Sequence, residues 1–409
     1  MHDSTWTTFA AIDWAAETHA VSLLDPDAHI HRTTVAHSRD GFDRLVGWLA
    51  RFGDPAQIPV AIERPDGRLV DRLLEAGHPV VPVKTNAIKA WREAEVISGA
   101  KSDAGDADVI VDYLRVRHRR LHTLAPLSDH TRALRTVVRT RDDLVDQRVA
   151  AGNQLSALLD AFWPGANAMF ATITSEIALA FLTRYPTPTS AARVGPARMA
   201  SFLTKHGYSG RQPAARLLAR LRAAPAGVTA TAQTDAGRDA VLALATTIRA
   251  LNAAIKDLDR SIAAHLDEHP DGSIFTSLPR SGQINAAQML AEWGDCRQAY
   301  AHPDAVAALA GACPVTKSSG KHHSVSFRWA CNTRFRNAMC TFADNSRHAS
   351  PWAADIYTRA RAAGKDHPHA IRILARAWIR VIWRCWTNHT PYNTDLHGAT
   401  QRLANAAQG

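Results

Sequence analysis

Cysteine is scarce in this sequence, and its spacing excludes a disulfide framework. The 409 residues include five cysteines, and none of them forms a Cys-x-x-Cys pair. Small secreted proteins and thiolate metal sites rely on such pairs, so neither class fits, and a reducing cytosolic compartment is expected. A glycine-rich loop of the kind that cradles ATP phosphates is also missing, which argues against a nucleotide-driven enzyme.

Long hydrophobic runs are absent as well. No stretch reaches about 18 uninterrupted apolar residues, the length of a membrane-spanning helix. The first residues, Met1-His2-Asp3-Ser4, lack the charged and apolar regions of a signal peptide. We therefore expect a soluble protein. Its 46% content of hydrophobic residues is ample for buried cores in two or three domains.

Acidic residues are outnumbered overall, but unevenly along the chain. The net charge is +10; residues 1–122 carry −3 and the remainder carries +13. A basic chain favours a polyanionic partner, and an acidic part joined to a basic part suits a metal centre delivered to nucleic acid. The alternative is a basic surface that engages nothing.

The hydrophobic pattern of residues 1–122 predicts a mixed α/β domain. Its elements follow the order β-β-β-α-β-α-β-α, with strands at 7–13, 19–25, 30–36, 58–63 and 79–83 and helices at 40–52, 67–76 and 85–96. A further helix begins near Asp103 and closes the domain. This is the element order of the ribonuclease-H-like (RuvC-like) fold, in which the first and fourth strands lie side by side.

Four carboxylates fall at matching places in that order. Asp13 and Glu63 end the first and fourth strands, and Asp103 and Asp106 share one face of the closing helix because they are three residues apart. Together they predict a site for a divalent cation, which takes oxygen ligands. An acid at the end of a strand is usually just solvated, so any one of them alone carries little weight.

Residues 123–270 read as a helical linker with a coiled coil. A long helix is predicted over 131–162, and from Val241 to Ile262 apolar residues alternate spacings of three and four, as in a coiled-coil seam. Two such helices can pair with each other or across a dimer. We expect this region to act as a spacer and an assembly element.

Residues 271–390 form a third, mostly helical region, followed by an irregular tail at 391–409. A polar loop, Lys317-Ser318-Ser319-Gly320-Lys321, follows an apolar helix. The ordinary interpretation of this loop is a Ser-Gly turn; the functional one is a serine presented between two lysines.

Basic residues cluster in three places that can face a phosphate backbone through charge alone. The first is the run 115–120, the second lies around the Ser-Gly loop, and the third is an arginine stripe with steps of four on a final helix over about 368–387. Solvated faces explain most such clusters. The candidate nucleic-acid-binding residues are Arg115, Arg117, Arg119, Arg120, Lys317, Lys321, Arg328, Arg334, Arg336, Arg372, Arg376, Arg380 and Arg384.

Several motifs resemble those of the DEDD-type transposases of the IS110 family of insertion sequences, and the resemblance covers nearly the whole chain. They are Ala11-Ile12-Asp13, Ala61-Ile62-Glu63, Lys101-Ser102-Asp103-Ala104-Gly105-Asp106-Ala107, Ser277-Leu278-Pro279, Leu290-Ala291-Glu292-Trp293-Gly294-Asp295 and Pro314-Val315-Thr316-Lys317-Ser318-Ser319-Gly320-Lys321. One departure is the turn after Pro279. The family usually has glycines where this chain has Arg280 and Ser281, which weighs against a simple phosphate-gripping role for that turn.

The resemblance implies a RuvC-like domain joined through a coiled coil to a C-terminal transposase domain with a catalytic serine. It implies a cytoplasmic, nucleoid-associated bacterial recombinase that acts on donor and target DNA, guided by a structured bridge RNA. The four metal-site acids fall on Asp13, Glu63, Asp103 and Asp106, with one or two Mg²⁺ ions as cofactor. The serine that forms a covalent 5′-phosphoserine link falls on Ser319, with Ser318 as the alternative. The acids and the serine would come from different subunits of a homo-oligomer, a dimer or a tetramer on DNA.

Two other functions stay open. A RuvC-like nuclease would cut DNA with metal-activated water and leave Ser319 inert, and a non-catalytic scaffold would bind RNA or DNA without cutting it. The four acids argue against the scaffold. A kinase of the actin-like fold also begins with a strand that carries an aspartate, but it needs glycine-rich turns, and Asp13-Trp14-Ala15-Ala16 offers none.

Overall fold

The computed structural model describes residues 6–95, 103–124, 126–319 and 322–398, and the chain divides into two compact units, 1–126 and 127–409. Residues 101 and 102 of the motif at Asp103, and residues 320 and 321 of the Ser-Gly loop, lie outside the described residues.

The first unit is built on a mixed five-stranded sheet with helices on both faces. Its strands have the order β3-β2-β1-β4-β5, in which β1 runs antiparallel to β2 and parallel to β4. The elements are β1 (Phe9–Asp13), β2 (Thr18–Leu24), β3 (Ile30–Ala36), α1 (Arg39–Leu49), β4 (Val60–Ile62), α2 (Arg68–Glu75), β5 (Val80–Pro82), α3 (Thr85–Glu95) and α4 (Asp103–Arg117). The predicted order of elements and the predicted pairing of the first and fourth strands are both confirmed.

Alternation along β1 explains why both faces of the sheet are covered. Successive strand residues point to opposite faces, and every side chain from Phe9 to Ile12 is buried. Ala10 and Ile12 belong to the core that includes α1 and α2, whereas Phe9 and Ala11 belong to the core that includes α3 and α4. A central strand that is buried on both sides leaves its end, at Asp13, as the place where a polar group can reach solvent.

The second unit consists mainly of helices. They are α5 (Asp129–Phe162), α6 (Pro164–Met169), α7 (Glu176–Arg184), α8 (Pro188–Ala191), α9 (Pro196–Lys205), α10 (Ala214–Ala223), α11 (Thr231–Glu268), α12 (Gly272–Thr276), α13 (Gln283–Trp293), α14 (Pro303–Leu309), α15 (Thr333–Ser346), α16 (Pro351–Ala362) and α17 (His367–Thr387). A two-stranded antiparallel hairpin joins them, β6 (Val315–Ser319) with β7 (His322–Ser326). No helix in the described part of the chain is both long enough and apolar enough to span a membrane.

The two long helices α5 and α11 pair with each other inside the chain and run antiparallel. Arg141 donates to Asp259 at 2.9 Å, and Arg148 donates to Asn252 at 3.5 Å. The pair joins two hydrophobic cores, one with α6 to α10 and the other with α12 to α17. Of the two pairings that the heptad pattern allows, the structure therefore contains the one within a single chain.

The hairpin corrects one expectation. Residues 317–319 were expected in a polar loop, but they form the end of strand β6. The register pairs Ser319 with His322 and Val315 with Ser326. Polar residues throughout this segment hide the period-two pattern that normally indicates a strand.

The turn before α13 explains the departure seen in the sequence. Arg280 has a backbone φ of 57°, in the left-handed region that L side chains rarely adopt, and Gly282 has a φ of 65°. Glycine reaches this region without steric cost. The backbone conformation at position 280 is therefore one that favours the glycine of the family's pattern. This chain adopts the same conformation with an arginine.

We expect the stability of the protein to fall as the pH drops below about 6.5, the unperturbed value for histidine, because His269 is buried. Its Nδ1 accepts from the backbone N–H of Asp271 at 3.0 Å, and its Nε2 lies 2.8 Å from Thr131 Oγ1. Burial holds the pKa of His269 below its ordinary value. The unfolded chain therefore takes up a proton first, and stability is lost as the pH falls toward the folded-state pKa.

Thermal unfolding measured from about pH 5 to about pH 8, on both sides of the unperturbed pKa of histidine, tests this expectation. His269→Gln keeps a donor and an acceptor but does not titrate, so the loss of melting temperature on acidification should be smaller than in the wild type. His348→Gln, at an exposed position, is the matched control. An unchanged pH dependence in His269→Gln would contradict the assignment.

Candidate functional site

Three of the four predicted acids line one cavity in the first unit. Asp13 and Glu63 each follow the last paired residues of parallel neighbouring strands, Ile12 and Ile62. Asp106 lies on α4, which packs against β1 and β2. The cavity has a volume of about 740 Å³, and its wall includes Asp13, Glu63 and Asp106. Adjacent parallel strand ends and one overlying helix thus bring together carboxylates that are far apart in sequence.

The fourth acid, Asp103, is the first residue of α4. Its side chain lies outside the described part of the structure, so its position relative to the cavity stays a prediction. Spacing alone places it one helical turn before Asp106, on the same side of the helix.

Basic and hydroxyl groups from α3 contact these acids. Arg92 forms an ion pair with Asp106 at 2.5 Å, and the hydroxyl of Thr85 donates to Glu63 at 3.4 Å. Among the described side chains, the oxygens of Asp13, Glu63 and Asp106 do not all lie within 4.8 Å of one another. The wall therefore offers hard oxygen ligands, the donors that suit Mg²⁺, together with a cation that already balances one of them.

A second acidic group lies in the turn between β2 and β3. The ligand atoms of Asp25, Asp27 and His29 do lie within 4.8 Å of one another. Asp25 accepts the backbone N–H groups of Asp27 at 3.0 Å and of His29 at 2.8 Å. Turn formation accounts for this arrangement, since aspartate commonly caps its own turn in this way.

Two contacts that support the site were not predicted from the sequence. The guanidinium group of Arg64, next to Glu63, lies 4.4 Å from the ring centroid of Trp14, next to Asp13. Both groups follow an acid at a strand end, so this cation–π contact ties the two ends together. The sequence signal was present, a tryptophan and an arginine directly after the two acids, but nothing in it indicates that they touch.

Asp108 holds α4 on the sheet. Its Oδ1 accepts a hydrogen bond of 2.6 Å from Ser22, a fully buried residue of β2. Arg32 of β3 donates to both of its carboxylate oxygens, at 3.1 and 2.7 Å. Asp106 lies two residues before Asp108 on the same helix. The hydrogen bonds of Asp108 with Ser22 and Arg32 therefore fix the position of α4, and with it Asp106, relative to the ends of β1 and β4.

We expect Asp108→Asn to lower the free energy of unfolding by about 1–2 kcal/mol, since a bidentate charge-assisted pair becomes neutral but part of the hydrogen bonding survives. Chemical denaturation measures the change. The control is Asp257→Asn on α11, whose partner Arg260 lies only three residues away on the same helix. Equal losses of unfolding free energy in the two variants would show that the contacts of Asp108 with β2 and β3 stabilise the protein no more than a local ion pair does.

The serine candidates lie at the end of the hairpin in the second unit. Ser319 is the last residue of β6 and is exposed. The register places Ser319 opposite His322, the first residue of β7. The structure describes the backbone of Lys317 and Ser318 but not their side chains, and Lys321 lies outside the described residues.

An arginine-lined cleft of about 580 Å³ lies beside the hairpin. Arg376 and Arg380 of α17 both donate to Asp304, at 3.0 and 3.5 Å, and Arg376 beside Asp304 holds the pKa of that carboxyl below its usual range. Arg328 donates to the carbonyl of Cys313 at 3.1 Å. One carboxylate thus faces two guanidinium groups, which leaves the cleft positive.

The remaining predicted basic residues have varied surroundings. Arg334 donates to Asp143 of α5 at 2.7 Å, and Arg336 donates to the carbonyl of Arg328 at 2.6 Å. The other predicted residues with described surroundings lie on α4, after it, or on α17. Arg115 pairs with Asp112, Arg117 lies over the ring of Trp91, and Arg119, Arg120 and Arg384 are exposed. Their role in nucleic-acid binding stays a prediction.

Comparison with known proteins identifies relatives along the whole chain. A family model for DEDD transposases of the IS110 type matches residues 10–164, and the model of the IS116/IS110/IS902 transposase family matches residues 272–358. The mini-circle transposase named for IS117 of Streptomyces coelicolor is 31% identical over 396 residues, covering 94% of this chain and 95% of its own length. A 42 kDa protein of insertion element IS900 from Mycobacterium paratuberculosis is 28% identical, covering 97% and 98% of the two chains.

Proposed function

Since the chain belongs to the IS110 family of transposases, we propose that it cuts and rejoins DNA through a covalent serine–DNA intermediate, guided by a bridge RNA. Membership makes the protein an enzyme that acts on DNA, the transposase of an insertion sequence. The observation that carries the finer proposal is the convergence of Asp13, Glu63 and Asp106 on one cavity.

The first unit serves as the metal-binding domain, with a ribonuclease-H-like fold. The sheet order β3-β2-β1-β4-β5, with β1 parallel to β4, supports this fold. Asp13, Glu63, Asp103 and Asp106 would hold one or two Mg²⁺ ions, as the donor set allows. When bound, Mg²⁺ stabilises negative charge on a phosphate and on its leaving oxygen. Around it, Arg64 on Trp14 and the tie at Asp108 keep the acids in place.

In the serine step, Ser319 Oγ attacks a DNA phosphorus, and a new Oγ–P bond forms as the P–O3′ bond breaks. The DNA 3′-oxygen leaves and is protonated, and the serine keeps the 5′-phosphate. Attack on the phosphoserine by another 3′-hydroxyl reverses the exchange and frees the serine. The number of phosphate ester bonds is unchanged, so rejoining needs no external energy source. Serine is a weak nucleophile at its free pKa, so a cation such as Arg328 or Lys321 has to lower the cost of the alkoxide.

A bridge RNA and a second copy of the chain complete the proposal. The net charge of +13 outside residues 1–122 supports a large polyanionic partner. Half-buried Leu251 and Leu258 on α11 offer apolar surface to another protomer. In such an assembly, the serine of one subunit would act beside the acids of another.

The water-using nuclease is the second candidate. It shares the acids and the cavity, and it differs only in the fate of the cut strand. A denaturing gel of protein incubated with RNA and labelled DNA separates the two functions. A labelled band at the mass of protein plus DNA supports the serine recombinase, and cut DNA without such a band supports the nuclease.

Replacing Arg376 and Arg380 together by alanine should weaken DNA binding with little change in sequence preference. Each lost phosphate contact is expected to flatten the dependence of log affinity on log salt by about one unit. Binding measured from low to moderate salt gives the slope. Arg359→Ala, on α16 and paired with Asp355 outside the cleft, is the control. A double variant with the wild-type slope would remove the cleft from the DNA interface.

A further inference from the structure

One aromatic side chain beside the hairpin is held out in water. Trp329 follows β7 by three residues and is 82% exposed. Its ring contacts Phe327 edge-on, with 4.8 Å between the centroids and an angle of 79° between the planes. This contact leaves most of the indole surface open.

The segment around Trp329 is anchored. Arg336 donates to the carbonyl of Arg328 at 2.6 Å and, with a longer bond of 3.4 Å, to that of Trp329. The backbone N–H of Asn332 donates to the carbonyl of Leu309 at 2.8 Å. A fourth hydrogen bond joins Arg328 to the carbonyl of Cys313. Together these four bonds attach residues 328–332 to α15, to the end of α14 and to the residues that follow α14. The backbone of this segment is fixed while the indole faces solvent.

Two guanidinium groups already lie over the ring of Phe327, the aromatic residue that Trp329 contacts. The guanidinium carbons of Arg336 and Arg372 lie 4.5 and 4.7 Å from the centroid of Phe327. Phe327 therefore has little free surface to offer a ligand, whereas Trp329 has two large faces. Arg328 and Arg372 also line the positive cleft beside it. An open aromatic ring next to a positive cleft is the combination that binds single-stranded nucleic acid, with bases on the ring and phosphates on the cations.

We propose that Trp329 stacks on an unpaired base of the DNA substrate and holds a locally opened strand beside the hairpin. The partner is DNA because the family acts on DNA, and the inference rests on that part of the proposed function alone. It does not depend on Ser319 or on a metal ion, so a binding experiment can test it without catalysis. Strand exchange requires DNA in which base pairs are locally broken. Stacking on the indole of Trp329 would stabilise such DNA, because it compensates an unpaired base for the contacts it loses when it leaves the duplex.

Equilibrium binding of the full chain to a single-stranded oligodeoxynucleotide and to its duplex tests this role. Trp329→Ala should weaken single-strand binding at least about fivefold, the lower end of a single base-stacking contact, and leave duplex binding unchanged. Trp329→Phe, which keeps a ring, should recover most of the affinity. The salt slope should not change in either variant, because no charge is removed.

Leu396→Ala is the matched control, since Leu396 is also 82% exposed in the same unit. It should bind both DNA forms like the wild type. An equal loss on duplex and single strand, a loss in Leu396→Ala, or a loss that appears with single-stranded RNA but not with DNA would overturn the proposal. If Trp329→Ala melts at the wild-type temperature, its loss of affinity does not come from unfolding. If its melting temperature is lowered, Trp329→Phe becomes the test variant. Stacking would then be refuted if Trp329→Phe binds single-stranded DNA as weakly as Trp329→Ala does.

Discussion

Replacing Asp13 or Glu63 by its amide should abolish DNA strand cleavage while leaving the protein folded. The two carboxylates end parallel neighbouring strands and line the same cavity as Asp106. An amide has nearly the same shape but no charge, so the cavity keeps its packing and loses a ligand for a hard cation. Because metal stabilisation of a phosphoryl transition state amounts to several kcal/mol, cleavage should fall by about 10³-fold or more.

Two measurements separate a lost ligand from a lost fold. Without metal, each variant should melt at or above the wild-type temperature, since one of several like charges is gone. With added Mg²⁺ the wild type should gain stability, because the ion binds only the folded state, and the variants should gain less. Asp43→Asn, in the same unit and paired with Arg72 away from the cavity wall, is the matched control.

The same prediction extends to Asp103→Asn and Asp106→Asn. Asp106 differs from the others because Arg92 already balances its charge. Removal of Asp106 leaves that arginine without its carboxylate, so the Mg²⁺ response should be weakened most clearly in this variant. Full cleavage activity in two of the four variants would refute the assignment of these acids.

The sequence predicts the first unit well because each of its strands has a strong pattern. Short apolar runs such as Phe9–Ile12 and Val60–Ile62 are typical of strands buried on both faces, and the acids that follow them then meet at one edge of the sheet. The tie between Trp14 and Arg64 could not be predicted, because a sequence gives residue types and spacings but not which exposed groups touch.

The second unit was harder to predict for two physical reasons. A heptad seam specifies that a helix pairs but not with which partner, so the internal α5–α11 pair required the structure. A short polar hairpin carries no alternation, so residues 317–319 resembled a loop. Charge has the same limit: the sequence offers Arg334 and Arg336 as phosphate ligands, but it does not show that both also donate hydrogen bonds within the chain.

Ser319→Ala should eliminate covalent capture of DNA and strand exchange while RNA and DNA binding survive. Ser319 is exposed at the end of β6, where the loss of one oxygen leaves the strand pairing intact. Ser318→Ala is the matched control, because it removes the same atom from the neighbouring residue of the same strand. It should retain much more activity than Ser319→Ala.

The decisive experiment incubates protein and RNA with a nicked DNA that traps the intermediate, then maps the adduct by peptide mass spectrometry. A peptide that carries the DNA at Ser319 supports the assignment. Ser319→Cys sharpens the test, since a thiol in the same place can attack slowly and give a phosphothioester. An adduct on Ser318, or undiminished capture in Ser319→Ala, would move the nucleophile elsewhere. Cleavage without any adduct would favour the water-using nuclease, and in that case the acids of the first unit would carry the reaction alone.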